Sequence, residues 1–375
     1  MPCKSHLKME FLVIKERLLR FFLAIPFLNQ LLELAISLFI KKQGLATSIR
    51  NLKLHLFHKS TINKKNFGNS LNFHWLIQIS APSGEESKKW GDTYFANELA
   101  ESLRNLDQKV KVIYRDEDPF LFVQANTILL NLRGILPLPT FPNVLNMIWI
   151  ISHPNQLTKY ELKKYELVFA ASEIWAAEKS KKWKMEIKPL LQATNPKKFN
   201  TEVSKAASYD RILFVGNTRG IFRKSIKTIS QSSKDFLVIG KGWEKFLPNK
   251  NILKEFIENS ELSAEYRKSK FVLSDHWQDM AKNGFIANRI FDAVASGARV
   301  ISDYVPGSKK IFGSSLVEFH SPKELYKLLD EDLEHKFGIQ SELDENALKI
   351  QNQHCFDKRA EVLLNYARNF ISQLP

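Results

Sequence analysis

At 375 residues, with 44% hydrophobic and 25% charged side chains, the chain is long enough for two domains of ordinary size and too apolar to be disordered. Its two cysteines, Cys3 and Cys355, stand near opposite ends and outside any CxxC or Cys/His cluster. That argues against a disulfide framework or a zinc site, and it fits a reducing cytoplasm.

The net charge is +15, and residues 1–66 carry 12 Lys and Arg against 3 Glu, so +9 of it lies in under a fifth of the chain. The same region contains "FLVIKERLLRFFLAIPFLNQLLELAISLFIKK". Its longest uncharged run, Phe21 to Leu32, has 12 residues and includes Pro26, Asn29 and Gln30, whereas a membrane span needs about 20 apolar residues. Charges interrupt the apolar region and no small-residue cleavage site follows, unlike a signal peptide. Two readings of this helical amino-terminal extension stand side by side. A basic, aromatic-rich amphipathic segment suits peripheral contact with an anionic membrane, at the inner face of the cell membrane; a pair of helices packed on the rest of the protein has the same pattern. The charge also attracts nucleic acid, but no motif accompanies it, so specific nucleic-acid binding is not expected.

From residue 67 the pattern changes to alternating strands and helices. "FHWLIQIS" (73–80) reads as a strand, then a polar loop, "APSGEESKKWGD", leads into a helix from about Thr93 to Leu106 with Phe95, Leu99 and Leu103 on one face. "KVKVIY", "TILLNL" (127–132), "VLNMIWIIS" (144–152), "ELVFAAS" (166–172) and "EIKPLL" (186–191) read as further strands. Residues 192–210 are polar, contain Pro196 and lack an amphipathic period, so they read as a linker. The alternation then restarts with "RILFVGN", a helix near 221–231, "DFLVIG", "NILKEF", a helix near 260–268, "FVLSD", "ARVIS" and "SLVEF", and ends in helices near 322–331 and 356–373. The expected organisation is an extension (1–66), a first Rossmann-like domain (67–191), the linker, a second such domain (211–355) and a terminal helix (356–375). Mainly parallel sheets covered on both faces take ligands beyond the carboxyl ends of their strands, here in a cleft between the two domains.

Between "FVLSD" and "SLVEF" lies "NGFIANRIFDAVASGARVISD" (283–303). Ile290, Phe291 and Val294 share one helical face for burial, while Arg289, Asp292 and Ser296 share another. Gly297 suits a left-handed cap before the strand "ARVIS". Arg289 and Asp292 are then either a surface pair worth a few tenths of a kcal/mol or part of a binding site at the helix start.

Taken together, "WGDTYFANELAESLRNLDQKVKVIYRDE", "LLNLRG", "MIWIISHPNQLTKYELKKYELVFAAS", "PLLQATNPKKF", "ILFVGNTRG" and "SDHWQDMAKNGFIANRIFDAVASGARVISDYVPG" occur in the order that resembles bacterial group 1 glycosyltransferases, in their CgeB-like branch. The resemblance covers roughly residues 73–331 and leaves out the first 66. It implies an α/β protein of GT-B fold, with two Rossmann-like βα domains. The second would bind a nucleotide diphosphate sugar and the first a glycan or lipid-linked acceptor, as in surface polysaccharide or glycoconjugate synthesis. No metal and no cofactor are expected, the nucleotide sugar being a co-substrate.

On this resemblance Asn288 and Arg289 contact the diphosphate, since a helix start supplies N–H groups and an arginine the charge. Asp292 falls where the family carries the second acid of its Glu-x7-Glu motif, which holds the ribose. The first acid is missing: Gly284 stands eight residues earlier and Asn283 precedes it. Backbone N–H groups around Gly284, Phe285 and Ile286 are the expected substitute. Gly216 lets the backbone approach the donor, and Arg219 and Arg223 either reach phosphate or are solvated cations at a helix start. Trp243 either stacks on the base or packs against its domain. In the first domain Gly91, Asp92 and Thr93 face the acceptor or the diphosphate, with Asp92 an N-cap in either case.

His153 is either a catalytic contact to the donor sugar or a structural loop residue. His276 joins the donor site at a strand's carboxyl end, where the flanking Asp275 and Asp279 do not make a metal site. Asp116–Glu117–Asp118 matches a metal-binding DxD pattern, but reads as a solvated strand end. The implied chemistry is stabilisation of the leaving diphosphate by helix N-termini and Arg289, with Arg219 or Arg223 assisting. The missing acid leaves retention or inversion undecided, and no general base is assigned. Two other classes fit the sequence: a catalytically silent GT-B-like binder of glycan or nucleotide, and a basic membrane-surface or nucleic-acid-binding scaffold.

Overall fold

The computed structural model describes residues 62–67, 72–201 and 209–375. The expected amino-terminal extension therefore lies, apart from residues 62–66, outside the described residues. Lys64–Asn66 form one 3-10 turn, and the Lys64 N–H donates to the carbonyl of Pro375. Among the described residues no helix is long and apolar enough to cross a membrane.

The chain divides into two compact units. The first runs to Phe169 and adds Lys179–Lys188 and Leu363–Pro375, and the second takes Ala170–Glu178 and Pro189–Val362. The terminal helix thus belongs partly to each.

The first unit is built on a six-stranded sheet, ordered β2-β1-β3-β4-β5-β6. Its strands are β1 (His74–Gln78), β2 (Lys109–Ile113), β3 (Thr127–Arg133), β4 (Leu145–Ile150), β5 (Leu167–Ala170) and β6 (Lys188–Pro189). Strand β1 pairs in parallel with both β2 and β3, and β3 with β4. β3 and β4 are buried along their whole length, which explains their near-continuous apolar sequences. β6 is shorter than "EIKPLL" suggests, because Pro189 has no N–H with which to extend a ladder. Helix α1 (Gly91–Arg104) packs by Phe95 edge-to-face on Trp149 of β4, ring centroids 5.1 Å apart. The short α2 (Lys159–Leu162) is capped by Thr158, whose hydroxyl accepts from the Glu161 N–H. Helix α3 (Glu173–Trp183) follows β5.

The second unit repeats the plan with the order β12-β11-β10-β7-β8-β9, every neighbouring pair parallel. Its strands are β7 (Tyr209–Val215), β8 (Phe236–Ile239), β9 (Ile252–Lys254), β10 (Ser269–Ser274), β11 (Val300–Asp303) and β12 (Leu316–Phe319). The helices are α4 (Lys224–Ile229), α5 (Asn259–Lys268), α6 (Gln278–Lys282), α7 (Asn288–Ala295), α8 (Ser308–Phe312), α9 (Pro322–Asp330), α10 (Gln340–Gln353) and α11 (Phe356–Ser372). One core lies on each face of this sheet. Phe214, Trp243, Ile301 and Leu325 centre the first, and Leu213, Tyr266, Phe291 and Val300 the second.

The linker expected over 192–210 is only partly one. Ala193, Thr194 and Phe199 are buried, and Phe199 joins the second core beside Tyr266. Three apolar or hydrogen-bonded anchors suffice to seat a segment whose composition is otherwise polar. Residues 202–208 lie outside the described residues.

In each sheet the strand order reverses direction at its first strand, between β1 and β3 and between β7 and β10. Loops leaving neighbouring strands on opposite faces open a crevice there, the usual ligand position in such sheets.

Candidate functional site

The second unit's switch point is organised from the end of β7. Gly216 has φ +154°, its N–H donates to the Ile239 carbonyl at 2.8 Å, and its own carbonyl accepts from the Trp243 indole at 2.8 Å. Trp243 is fully buried and edge-to-face with Phe214, 5.7 Å between centroids. The possibility that it stacks on a base is therefore overturned: a ring with no exposed face, and an N–H already taken, supports the loop from beneath. A Cβ on Gly216 would meet Arg289 Nη2 at 3.1 Å, Arg223 Nη1 at 3.2 Å and Phe214 at 3.3 Å. Two guanidiniums thus flank one point over a glycine, the free space that lets both approach the backbone.

Arg223 is 4% exposed, so it is not a solvated cation. It donates to the Asp275 carboxylate, with Nε at 3.2 Å, and Nη1 reaches the Asn217 carbonyl at 3.2 Å. Asp275 also accepts from Ser225. Arg289 rises from the first turn of α7, and its Nη1 is buried without a hydrogen-bond partner. Burial, and then Arg223, pull its guanidinium below the usual range, while Asp275, Tyr266 and Asp303 oppose that. Arg219 sits in the left-handed region at φ +59° with its guanidinium 4.4 Å over the Trp277 ring. Its pKa is lowered by displaced water first and then by Arg223 and Arg289. The residue as a whole is exposed, so water still screens much of that repulsion. The sequence left Arg219 and Arg223 either at the phosphate or solvated: Arg223 lies buried beside Arg289 over Gly216, and Arg219, though exposed, is within electrostatic range of both.

Asn283 to Ala287 explain how α7 is aimed. Gly284, at φ +72°, closes a left-handed turn after α6: its N–H donates to the Ala281 carbonyl and that of Phe285 to Met280. A side chain there would press within 2.9 Å of Ser172 Oγ, which itself donates to the Asn283 carbonyl. The expectation that backbone N–H groups of this stretch replace the missing acid is corrected at those two positions, whose donors are internal. The side chains of Phe285 and Ile286 point away from that role. Both are buried core residues, Phe285 edge-to-face with Trp175 at 5.8 Å.

His276 is a third correction. Its side chain has no exposed surface; Nδ1 lies 2.6 Å from Asp303 and Nε2 accepts the Ala287 N–H at 2.8 Å. Accepting at Nε2 leaves the proton on Nδ1, the neutral tautomer. His276 therefore positions the start of α7 and does not face a ligand. Asp292 is 7% exposed, and its oxygens accept from Thr194 at 2.7 Å and Asn288 at 2.9 Å. It orients Asn288, whose Oδ1 stays buried without a partner, and anchors the 192–195 segment. Neither the surface pair with Arg289 nor an open ribose hook describes it.

In the first unit α1 begins at Gly91, so Trp90 and not Asp92 is its N-cap, and Asp92 lies in the first turn. The Asp92 carboxyl turns inward at the switch point, where a Cβ on Gly134 would lie 3.0 Å from its Oδ2 and 3.6 Å from Ser80 Oγ. Gly134 is held by Arg133, which donates to its carbonyl at 2.6 Å and to Glu161 at 2.7 Å, both side chains almost fully buried. Burial raises Asp92 to about 6. A raised folded-state pKa means that wild type loses stability as pH climbs from about 4 through 6. Asp92→Asn is therefore expected to match wild type near pH 4 and to be more stable by about 1–2 kcal/mol at pH 8. Equal urea midpoints at both pH values would contradict this.

Thr93 is buried, its Oγ1 unpartnered, and Gly91 is exposed. His153 follows β4 with φ +51°, an uncommon backbone for a residue with a side chain, and its carbonyl accepts the Gln156 N–H. The DxD-like run is spent on its own loops. Asp116 accepts from Ser83 N and Oγ, Glu117 from the Tyr114 N–H and Asp118 from the Phe120 N–H. Among the described residues no group of three or more His, Cys, Asp or Glu is arranged to hold a metal. The residues that sequence reading missed are Phe214, Asp275, Trp277, Asp303 and Thr194. Only Asp275 and Trp277 carried a signal, as neighbours in "SDHW" at a strand's end.

Compared with known proteins, residues 219–365 match a family described as glycosyl transferase-like. No curated protein matches the sequence. Among solved structures, a sucrose-phosphate synthase from Thermosynechococcus elongatus is similar with TM-score 0.56 and 11% identity over 80% of this chain and 99% of that one. AviGT4, a glycosyltransferase involved in avilamycin A biosynthesis, gives 0.53 and 11% over 80% and 98%. An alpha-glucosyltransferase in complex with UDP-glucose and DNA containing an abasic site gives 0.51 and 12% over 80% and 100%. At such identities the likeness speaks for architecture alone: the two six-stranded sheets with their helices are the two Rossmann-like domains of the GT-B fold.

Proposed function

We propose that the protein transfers a sugar from a nucleotide diphosphate donor to a glycan or lipid-linked acceptor, as a member of the CgeB-like branch of group 1 glycosyltransferases. The observation that carries this is the convergence of Arg219, Arg223 and Arg289 at the second domain's switch point, two of them over Gly216. A site that gathers three guanidiniums around one paired carboxylate is built for a multiply charged anion. The unpartnered Nη1 of Arg289 and the unpartnered Asn288 Oδ1 are the groups a diphosphate and its neighbouring hydroxyls would satisfy. The family match over residues 219–365 covers all three arginines.

In this reading the arginines bind the diphosphate and take up the charge that develops as the sugar leaves, without metal assistance. Asn288, oriented by Asp292, contacts the donor. Gly91, Asp92, Thr93 and the strained His153 serve the acceptor and the donor sugar in the first domain. The reading extends to a cytoplasmic location, with residues 1–66 holding the protein to an anionic membrane surface. Liposome flotation that persists after their deletion removes that last element.

Turnover separates an enzyme from a silent binder. Purified protein given nucleotide sugars is expected to release nucleoside diphosphate, slowly by hydrolysis and faster with an acceptor glycan present. Tight donor binding with no release under either condition would establish the silent reading instead.

A further inference from the structure

Like charges gathered in one site repel until an anion arrives, so something must hold them. Arg223 has Asp275. Among the described residues Arg219 and Arg289 form no ion pair, although Asp275 and Asp279 lie within electrostatic range of the first, and Asp275 and Asp303 of the second. What all three share is an aromatic face. Arg223 and Arg289 lie 4.7 and 5.3 Å from the Phe214 centroid, and Arg219 lies 4.4 Å from that of Trp277.

We propose that Trp277 is the positioning residue of the anion site: its ring face holds Arg219 turned toward Arg223 and Arg289, so that the third guanidinium is in place before the ligand binds. The inference rests on the diphosphate-site reading above and adds a residue to it.

The choice of an aromatic face over a carboxylate has a physical reason. A carboxylate partner would neutralise Arg219 and occupy its N–H donors, both of which a phosphate needs. A ring face stabilises the cation through its quadrupole, more strongly once water is excluded, while leaving the in-plane donors free. The backbone is committed to the same end. Arg219 at φ +59° is followed by Gly220 at φ +79°, and the Gly220 N–H donates to Thr218 Oγ1 at 3.2 Å. Thr218 is itself tied through its N–H to the Lys241 carbonyl at 3.1 Å. A non-glycine residue is disfavoured in that region, so the turn is maintained by its contacts.

The placement of Trp277 is also informative. Asp275, His276 and Trp277 are consecutive where β10 ends, and each serves a different arginine. Asp275 binds Arg223; His276 accepts the Ala287 N–H and so sets the start of the helix that carries Arg289; Trp277 lies under Arg219. One three-residue segment thus registers the whole cluster.

The test uses the full chain, calorimetric titration with inorganic pyrophosphate, and four variants whose folding is checked by thermal melts. Trp277→Leu, which removes the ring face, is expected to weaken binding about three- to tenfold. Trp277→Phe, which keeps a face, should stay within about twofold of wild type. Arg219→Gln should weaken binding, and adding Trp277→Leu to it should cause no further loss, because the ring acts on the anion through that guanidinium. Wild-type affinity in Trp277→Leu, Trp277→Phe as weak as Trp277→Leu, or losses that multiply in the double variant would each overturn the assignment while leaving the anion site intact. Failure of wild type to bind pyrophosphate or any nucleoside diphosphate would overturn the anion site itself and Trp277's role with it.

Discussion

Arg289→Ala is expected to weaken nucleoside diphosphate binding by about a hundredfold or more, while the free protein melts at the same temperature or higher. Two charge-assisted hydrogen bonds to phosphate oxygens contribute about 1.5–3 kcal/mol each, and a hundredfold corresponds to about 2.7 kcal/mol. In the free protein the same group has the Phe214 ring face beside it but, among the described residues, no ion pair. Its Nη1 is buried without a partner, and burial and Arg223 both disfavour its charge. Removing an unpaired, desolvated cation relieves that penalty. Opposite signs in binding and stability mark a residue kept for a ligand. Titration calorimetry with a scanning melt of the same samples checks both halves. A large loss of stability, or unchanged affinity, would show that Arg289 is structural.

The second large effect is expected at Gly240, at the end of β8, where no ligand contact is invoked. A Cβ there would lie 2.6 Å from the Gly216 carbonyl carbon and closer still to its oxygen, atoms of a backbone tied to Ile239 and Trp243. Backbone cannot swing aside as a side-chain tip can. Gly240→Ala should therefore destabilise the second domain by about 3 kcal/mol or more and abolish anion binding, because the loop bearing Arg219 and Arg223 must move. Gly220→Ala is the control. It is also left-handed, at φ +79°, but has open space around it, so backbone strain of about 1 kcal/mol is all it should lose. Equal denaturation midpoints for the two variants would mean that the β7–β8 contact is not tight.

What was legible in the sequence follows from what leaves a local trace. Ile290, Phe291 and Val294 at helical spacing gave α7, and Gly297 closes it at φ +80° with the Ala298 N–H returning to Ala293. The strands came from apolar runs. By contrast α10, with Leu343, Ala347 and Ile350 buried one turn apart, carries the same kind of pattern in a largely polar stretch and was not drawn out. In the site, the arginines were legible because charge near a strand's end is visible in one dimension. Their supports were not. Phe214 reads as any strand residue, and Thr194 reaches Asp292 across 98 positions. Trp243 and His276 have chemistry that suggests ligand contact, and only packing shows each one already satisfied.

The central claim is that the second domain's arginine cluster holds the diphosphate of a nucleotide sugar. The most direct measurement is saturation-transfer NMR on the wild-type protein with a panel of nucleotide sugars, each competed with inorganic pyrophosphate. The account predicts saturation of at least one nucleotide sugar, displaced by pyrophosphate and absent in folded Arg289→Ala. Saturation that survives both pyrophosphate and that substitution would place the ligand elsewhere, and no saturation by any donor would contradict the claim outright.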